Sequence, residues 1–268
     1  MPGFPRRQID PRYYQAAVQL GLLIWGTALG YFVVPAAHIL AVLTAAALTQ
    51  WAFTRFHGLR LNLLSTLNTA LSILLLLHAA HWGWLALAAL LSVGSKFLLR
   101  LQNRHIFNPS NIGIVLVLLT VDASWVAHGK WGHAIWLALL LAGAGLILLL
   151  GWKQMTTSLA FLLSYTLLLL TRAFWLGDPL AIPLHQLQNG ALLIFVFFML
   201  SDPMTTPEKL SGRIIYGSWV ALFAAWLQFQ WFIPNAFLYA LACSSPLVLL
   251  INYKFKGSRF AWGIRRME

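Results

Sequence analysis

Long apolar runs separated by short polar breaks dominate the chain, at about 16–33, 36–53, 62–80, 82–99, 111–127, 134–151, 157–176, 187–201, 214–232 and 235–252. A membrane span takes about 20 mostly apolar residues, so the pattern predicts ten transmembrane helices and an all-α integral membrane protein. The eighth run is short, with its clean apolar core only from Ala191 to Leu200. That predicts a half-helix, or a helix whose polar first turns are sheltered by protein. The opening MPGFPRRQIDPRYYQ begins like a secretory signal, but the following run is too long for one and carries no small-x-small cleavage site. It reads as the tail before a retained first span. The expected organisation is a single transmembrane domain over 1–268, with tails at 1–15 and 253–268 and no room for a separate soluble domain.

Composition agrees: 60% of residues are hydrophobic and 9% charged, against roughly 25% charged in soluble domains. The net charge of +12 raises nucleic acid as a partner until the positions are sorted. With ten spans, sixteen of the eighteen Lys and Arg residues fall on the side of the termini, and only Lys130 and Arg172 fall opposite. By the positive-inside rule both termini face the cytoplasm, and the basic balance records orientation in a bacterial inner membrane instead of nucleic-acid binding. Trp residues near proposed helix ends, such as Trp51, Trp82, Trp152 and Trp231, fit an interfacial belt. The single cysteine, Cys243, excludes an intrachain disulfide and any Cys-rich metal site built from this chain alone.

Ten spans divide into two halves of five, necessarily inverted relative to one another. Inverted repeats place their sites near the midplane, beside broken helices. The third span (LNLLSTLNTALSILLLL) and the eighth (HQLQNGALLIFVFF) are corresponding members, and both open with small and amide residues before turning apolar.

Two cytoplasmic connections carry the chemistry: QNRHIFNPSNIG (102–113) and SDPMTTPEKLSGR (201–213). Each places Pro directly after Asn or Asp, which pushes the preceding residue out of the helical region and lets it cap the helix after it. One reading is therefore two helix starts, with Asn108 or Asn111 capping span five and Asp202 or a Thr capping span nine. The other notes that Asn108, Asn111 and Asp202 lie near membrane depth, where polar groups need protein or a ligand to satisfy them. Carboxamides both donate and accept, and a carboxylate accepts from hydroxyls. A planar heterocycle with an imide edge and a polyol tail, such as a flavin, suits that trio. His78, His81, His128, His133 and His185 map to the outer side and could bind haem iron or a metal. Without a carboxylate cluster or facing pairs they read as interfacial residues, and no metal site is expected. Lys96 and Arg100, near a helix end, read as snorkelling side chains that could also favour an anionic reduced flavin.

The segment FNPSNIG resembles FNPA, and LSDPMTTP resembles TDPVT, in the membrane family that contains the NqrB subunit of the sodium-translocating NADH:quinone oxidoreductase and the RnfD subunit of the Rnf electron-transport complex. The order agrees as well: a basic loop, FNP, a span, two further spans, a short span ending in DP, then Gly212, Arg213 and Gly217. In length the chain is closer to stand-alone relatives such as the membrane proteins encoded with enediyne biosynthesis genes. The resemblance implies two inverted five-helix halves that hold flavins and pass electrons within the bilayer, together with redox partner subunits. It places a non-covalent riboflavin, or another non-covalent flavin, beside Asn108 and Asp202, with Asn111, His105 and Thr205 as further contacts. His105 stands where relatives often have Asn. Larger relatives attach FMN covalently through a Ser-Gly-Ala-Thr-like motif after the fifth span, whereas TVDASWVAHGKWGH (120–133) is short and lacks it. No covalent FMN is expected. The leading expectation is a flavin-binding membrane subunit that carries electrons, a redox component of a larger system with no catalytic residue of its own. The alternatives are a solute channel or transporter on an inverted-repeat fold, and a scaffold subunit without cofactor.

Overall fold

The computed structural model describes residues 10–29, 33–101, 104–126, 139–140, 142–144 and 152–257. Its helices fall on the apolar runs, apart from α7, which forms in the gap expected before the eighth: α1 (Pro11–Ala28), α2 (Ala36–Phe56), α3 (Leu63–Leu76), α4 (Trp82–Leu98), α5 (Pro109–Thr120), α6 (Trp152–Leu176), α7 (Ala181–Leu187), α8 (Gly190–Ile194), α9 (Leu210–Gln230), α10 (Ala236–Ser244) and α11 (Leu247–Lys254). Most of the sixth run, 134–151, lies outside the described residues, as do His128 and His133. The first helix starts at Pro11, inside the expected tail, because Asp10 accepts from the Arg12 amide at 3.0 Å and Pro sits where a helix has no amide to lose.

Among the described residues three helices are long and apolar enough to cross a membrane alone: Ala36–Phe56, Met155–Leu176 and Leu210–Gln230. Two bent pairs, Ala181–Leu187 with Gly190–Met199 at 48° and Ala236–Ser244 with Leu247–Lys254 at 51°, make five if each is one span. Leu40, Leu163, Phe174 and Trp175 lie exposed on these helices, as lipid-facing side chains do. The bend at α10–α11 falls at Ser245–Pro246, where proline removes a helical hydrogen bond from an otherwise apolar run.

The third and fifth apolar runs depart from simple helices. With 14 residues, α3 rises about 21 Å, short of the roughly 30 Å hydrocarbon core. The chain continues as β1 (Leu77–Ala79), and α5 continues in the same way into β4 (Ser124–Val126). These two strands pair antiparallel, Leu77 with Val126 and Ala79 with Ser124, so the extended backbone satisfies its own polar groups, as a membrane requires. A second pairing joins β2 (Arg100–Leu101) to β3 (Arg104–His105) in the loop before α5. The architecture is helical with two short strand pairs, where the sequence predicted helices alone.

Among the first five helices α2 packs on α4, α4 on α5, and α1 on α3; among the later ones α6 packs on α9 and α9 on α10. The core lies where α3, α5, α8 and the start of α10 meet, around fully buried Leu74, Leu75, Ile114, Phe195 and Leu238. Between α8 and the SDPMTT loop the helix widens into a π-helical turn, Phe195–Met199. Such turns leave carbonyls without their usual partners and are frequent at functional sites.

Candidate functional site

The carbonyls of that turn are met by side chains from four segments. Ser158 Oγ on α6 donates to the Val196 oxygen at 2.7 Å, Ser201 Oγ to that of Phe197, Gln15 Nε2 on α1 to that of Phe198 at 3.4 Å, and Asn108 Nδ2 to that of Met199 at 3.1 Å. The Met199 oxygen also accepts from the Asp202 amide at 3.3 Å. One backbone atom thus joins the two sequence motifs, although they lie 94 positions apart in the chain (108 and 202).

Asn108 serves as helix cap and as cross-link together. Its Oδ1 accepts from the Asn111 amide at 3.1 Å and from Ser110 Oγ at 2.9 Å, while Nδ2 reaches Met199. Asn111 is not the cap; its Nδ2 donates to the Leu238 oxygen in the first turn of α10 at 3.1 Å. Asp202 does not cap span nine either. The N-cap position of α9 is Lys209, without a side-chain bond, and Asp202 Oδ1 instead accepts from the Met204 amide at 3.0 Å, closing a turn at Pro203. Pro207 intervenes between the DP step and α9, so the carboxylate cannot reach that helix's first amides. Thr205 Oγ1 donates to the Asp202 oxygen at 3.3 Å.

Asn108→Ala removes a cap, at about 1 kcal/mol, and leaves the Met199 carbonyl a donor short, at about 1–3 kcal/mol more. Asn108→Ser keeps an oxygen for the Asn111 amide and should recover the first part only. Thermal melting of the detergent-solubilised protein orders the three as Asn, Ser, Ala; equal melting of the Ser and Ala variants would remove the cap.

Arg104, which the sequence reading passed over, builds the loop. Its guanidinium donates to the oxygens of Pro203 at 2.9 Å, Met204 at 3.2 Å and Thr206 at 3.3 Å, and to Glu208 Oε1 at 2.9 Å. The signal was available, since Arg104 lies within the first motif and Glu208 is one of only six acidic residues in the chain. Arg213, in the Gly-Arg stretch, donates to the Pro207 oxygen at 2.7 Å from the other side.

Lys96 does not snorkel. It is 5% exposed, and its Nζ donates to Ser65 at the start of α3, to the oxygen at 3.1 Å and to Oγ at 3.3 Å. Lys96 lies on the face of α4 that packs against α3 and the 104–105 strand, so its stem is buried although Leu98 and Leu99 at the same helix end are exposed. Although part of Asp202 reaches the surface, its carboxyl is enclosed; burial pushes it above the usual carboxylate range, against the Met204 amide and the charges of Lys96, Arg104 and Arg12, which pull it down. Burial, with the charges of Lys96 and Arg100, pushes the His105 imidazole down to about 4, against a hydrogen bond to the Lys96 backbone. His105 is therefore neutral at pH 7.

Several polar atoms at this seam are buried without a partner among the described residues: His105 Nδ1, Asn111 Oδ1 and Thr206 Oγ1. Of these residues only His105 lines the cavity of about 420 Å³ that opens nearby, with Arg104, Met204, Glu208, Asn252 and Tyr253 among others. Of the five residues expected from sequence, Asn108, Asp202 and Thr205 converge on the 199–205 backbone. His105 lines the cavity, and Asn111 turns away toward α10. No three His, Cys, Asp or Glu residues come together as a metal site among the described residues.

A helical membrane protein whose two Pro-anchored loops lock on one broken helix is the class these observations define. The sequence profile of the NQR2, RnfD, RnfE family matches residues 14–261, and the chain belongs to that family. It is 29% identical to the D subunit of the ion-translocating oxidoreductase complex of Escherichia coli O81 (strain ED1a) over 137 residues, 50% of this chain and 36% of that protein. The same component of the complex in Shewanella piezotolerans (strain WP3 / JCM 13877) is 30% identical over 74 residues, 28% of this chain and 21% of that protein. The matched part is thus 36% or less of the length of these curated relatives.

Proposed function

We propose that this protein is a membrane subunit that carries electrons by means of a non-covalently held flavin, riboflavin before others, between the FNPSN and SDPMTT segments. The observation that carries the reading is the meeting of Asn108 and Asp202 on the Met199 carbonyl, with buried unpartnered polar atoms around it. Those atoms fit the group. His105 Nδ1 is an acceptor for an imide N–H or polyol hydroxyls, Thr206 Oγ1 can donate or accept, and Asn108 keeps its second Nδ2 hydrogen, whereas Asn111, turned toward α10, would serve only by reorienting. The neighbouring cavity lies within the roughly 300–1,000 Å³ that cofactor sites occupy. The flavin would supply the redox chemistry, and the protein would hold it and set its surroundings. The chain would act with redox partner subunits, since its relatives are named as subunits of ion-translocating oxidoreductase complexes. With no attachment motif in 120–133, the flavin would not be covalent FMN.

The same reading takes the chain as one transmembrane domain of ten spans in two inverted halves, in a bacterial inner membrane with both termini cytoplasmic. Support comes from the packing, because spans two, four and five contact one another in the order that spans seven, nine and ten repeat. It comes also from the paired helix starts, Phe107-Asn108-Pro109 before α5 and Phe232-Ile233-Pro234 before α10. A channel or transporter would use bent helix pairs too, and the bends at 48° and 51° are the observation on its side.

Colour separates the two. The purified electron carrier is expected to be yellow, to bleach with dithionite, and to release an intact flavin on denaturation, leaving the polypeptide dark under ultraviolet light in a gel. A colourless protein from flavin-replete cells would sink the electron-carrier reading, and a fluorescent denatured band would overturn the non-covalent attachment.

A further inference from the structure

One face of α11 forms a wall of the cavity of about 420 Å³. Val248, Leu249, Asn252 and Tyr253 line it at the spacing of a single helix face, and Lys256 follows just past the helix end. The wall is graded, apolar at Val248 and Leu249 and polar from Asn252 onward. Opposite stand the 100–106 hairpin and the loop after the π-helical turn, through Leu101, Arg104, Ile106, Met204 and Glu208. Of the atoms offered to the flavin only His105 Nδ1 belongs to a residue of this cavity, so the α11 side has no part in that site.

The polar groups on the α11 side are donors. Asn252 Oδ1 is taken by the Glu208 amide at 2.9 Å, which leaves Nδ2 with two hydrogens to give. Tyr253 is exposed and brings a hydroxyl, and Lys256 is exposed with no hydrogen bond or ion pair among the described residues. The charge balance has the same sense. Residues 100–106, 201–209 and 247–257 carry Arg100, Arg104, Lys209, Lys254 and Lys256 against Asp202 and Glu208. Glu208 is taken by Arg104 at 2.9 Å, and Asp202 does not line the cavity. Lys209 and Lys254 each place Nζ 5.9 Å from the centroid of the Phe255 ring, the residue next to Lys256. Leu101 and Leu249 line the same cavity and are exposed, as is Leu250 beside them on α11. Exposed leucines next to uncompensated ammonium groups suit an amphiphile with an acidic head, and basic pockets between helices on the cytoplasmic side take anionic lipid headgroups.

We propose that the α11 side of this cavity is a specific site for an anionic phospholipid. The headgroup phosphate accepts from Lys256, Asn252 Nδ2 and Tyr253, and the acyl chains lie along Leu101, Leu249 and Leu250. This site is separate from the flavin proposed at the seam and does not require it. Bound lipid also braces the SDPMTT loop. Asn252 holds the Glu208 amide, and Gly257 packs so closely that a Cβ there would lie 2.9 Å from the Glu208 carbonyl carbon. A headgroup that fixes the end of α11 therefore steadies Glu208, and through it Arg104.

The test is native mass spectrometry of the purified, delipidated full chain with phosphatidylglycerol or phosphatidylcholine of the same acyl chains, together with thermal melting in an uncharged detergent. Phosphatidylglycerol should be retained over phosphatidylcholine and should raise the melting temperature. Lys256→Gln should weaken phosphatidylglycerol binding by about fivefold, the weight of one lysine near an anionic headgroup, and Lys256→Arg should keep it. Arg55→Gln removes an exposed charge at the end of α2 and should leave binding unchanged. Equal retention of the two lipids, or equal losses in Lys256→Gln and Arg55→Gln, would overturn the site. So would inorganic phosphate that displaces phosphatidylglycerol or matches its thermal shift, since the lipid body would then add nothing. Flavin content measured in parallel separates the two sites: lipid selectivity without flavin would sink the flavin reading alone, and flavin without lipid selectivity would sink the lipid site alone.

Discussion

Arg104→Ala is expected to lower the melting stability of the protein by on the order of 3 kcal/mol or more. One guanidinium supplies the Pro203, Met204 and Thr206 oxygens and Glu208, with the Arg104 and Glu208 side chains only 15% and 10% exposed. Water therefore replaces few of these bonds. A buried charge pair cut on one side loses more than the pair was worth intact, because the remaining carboxylate stays desolvated. Arg104→Lys retains the charge, but an ammonium cannot span three carbonyls and a carboxylate in the guanidinium's planar fork; it should recover the part owed to Glu208 and little of the rest. The double variant Arg104→Met, Glu208→Gln removes both charges and should be more stable than Arg104→Ala. Thermal unfolding in detergent measures the order, and Arg104→Ala melting with the wild type would show that the loop holds its shape unaided. The loop carries Asp202, so the flavin proposed for this site should be lost along with stability in Arg104→Ala.

The parts of the fold that sequence disclosed are those that one dimension can encode. A proline after Asn or Asp constrains its own neighbourhood, so FNP and SDP could be recognised as sharp local features, and Asn108 caps α5 as the local rule requires. Apolar runs long enough for a bilayer are also written locally, and the helices lie on them. Which capped end meets which loop is a matter of packing. Nothing local in SDPMTTP says that its carboxylate turns onto Met204, or that Arg104 will grip the loop from about 100 residues away. Lys96 misled for the same reason: a Lys in the last turns of an apolar helix reads as surface, and only the placement of Ser65 on α3 makes it interior. The end of α3 at Leu76 has no breaker, since LLLLHAA could continue helically. Its change to a strand is set by pairing with Ser124–Val126. Pro246 is the contrary case, a breaker that stood in the tenth run and that the ten-span reading passed over.

Gly217 sits in the middle of α9 where it crosses α6, and a Cβ there would lie 2.3 Å from the Thr157 oxygen, 3.1 Å from Ala160 Cβ and 3.2 Å from the Phe161 nitrogen. Two of the three are backbone, which no rotamer change can move, so Gly217→Ala must part the helices. Helix propensity pulls the other way by about 1 kcal/mol in favour of Ala, but overpacking at a close contact costs about 1–3 kcal/mol and more where backbone must shift. The expected sign is destabilising, by about 2 kcal/mol. Ser158 comes directly after Thr157 and holds the Val196 carbonyl of the π-helical turn, so displacing α6 should loosen the site as well as the fold. Gly113 is the counterpart on α5, where a Cβ would meet Ser92 Oγ at 1.9 Å, the Ala88 oxygen at 2.5 Å and the Ser92 nitrogen at 2.9 Å. Adding Ser92→Ala to Gly113→Ala relieves the first contact and leaves both backbone contacts, so the rescue should be partial. Gly21, in α1, has nothing within 4 Å of the added carbon, and Gly21→Ala should be neutral or stabilising. Melting of the three single variants therefore separates propensity from packing: a common shift in all three would show that the close crossings at Gly113 and Gly217 are not what holds these helices together.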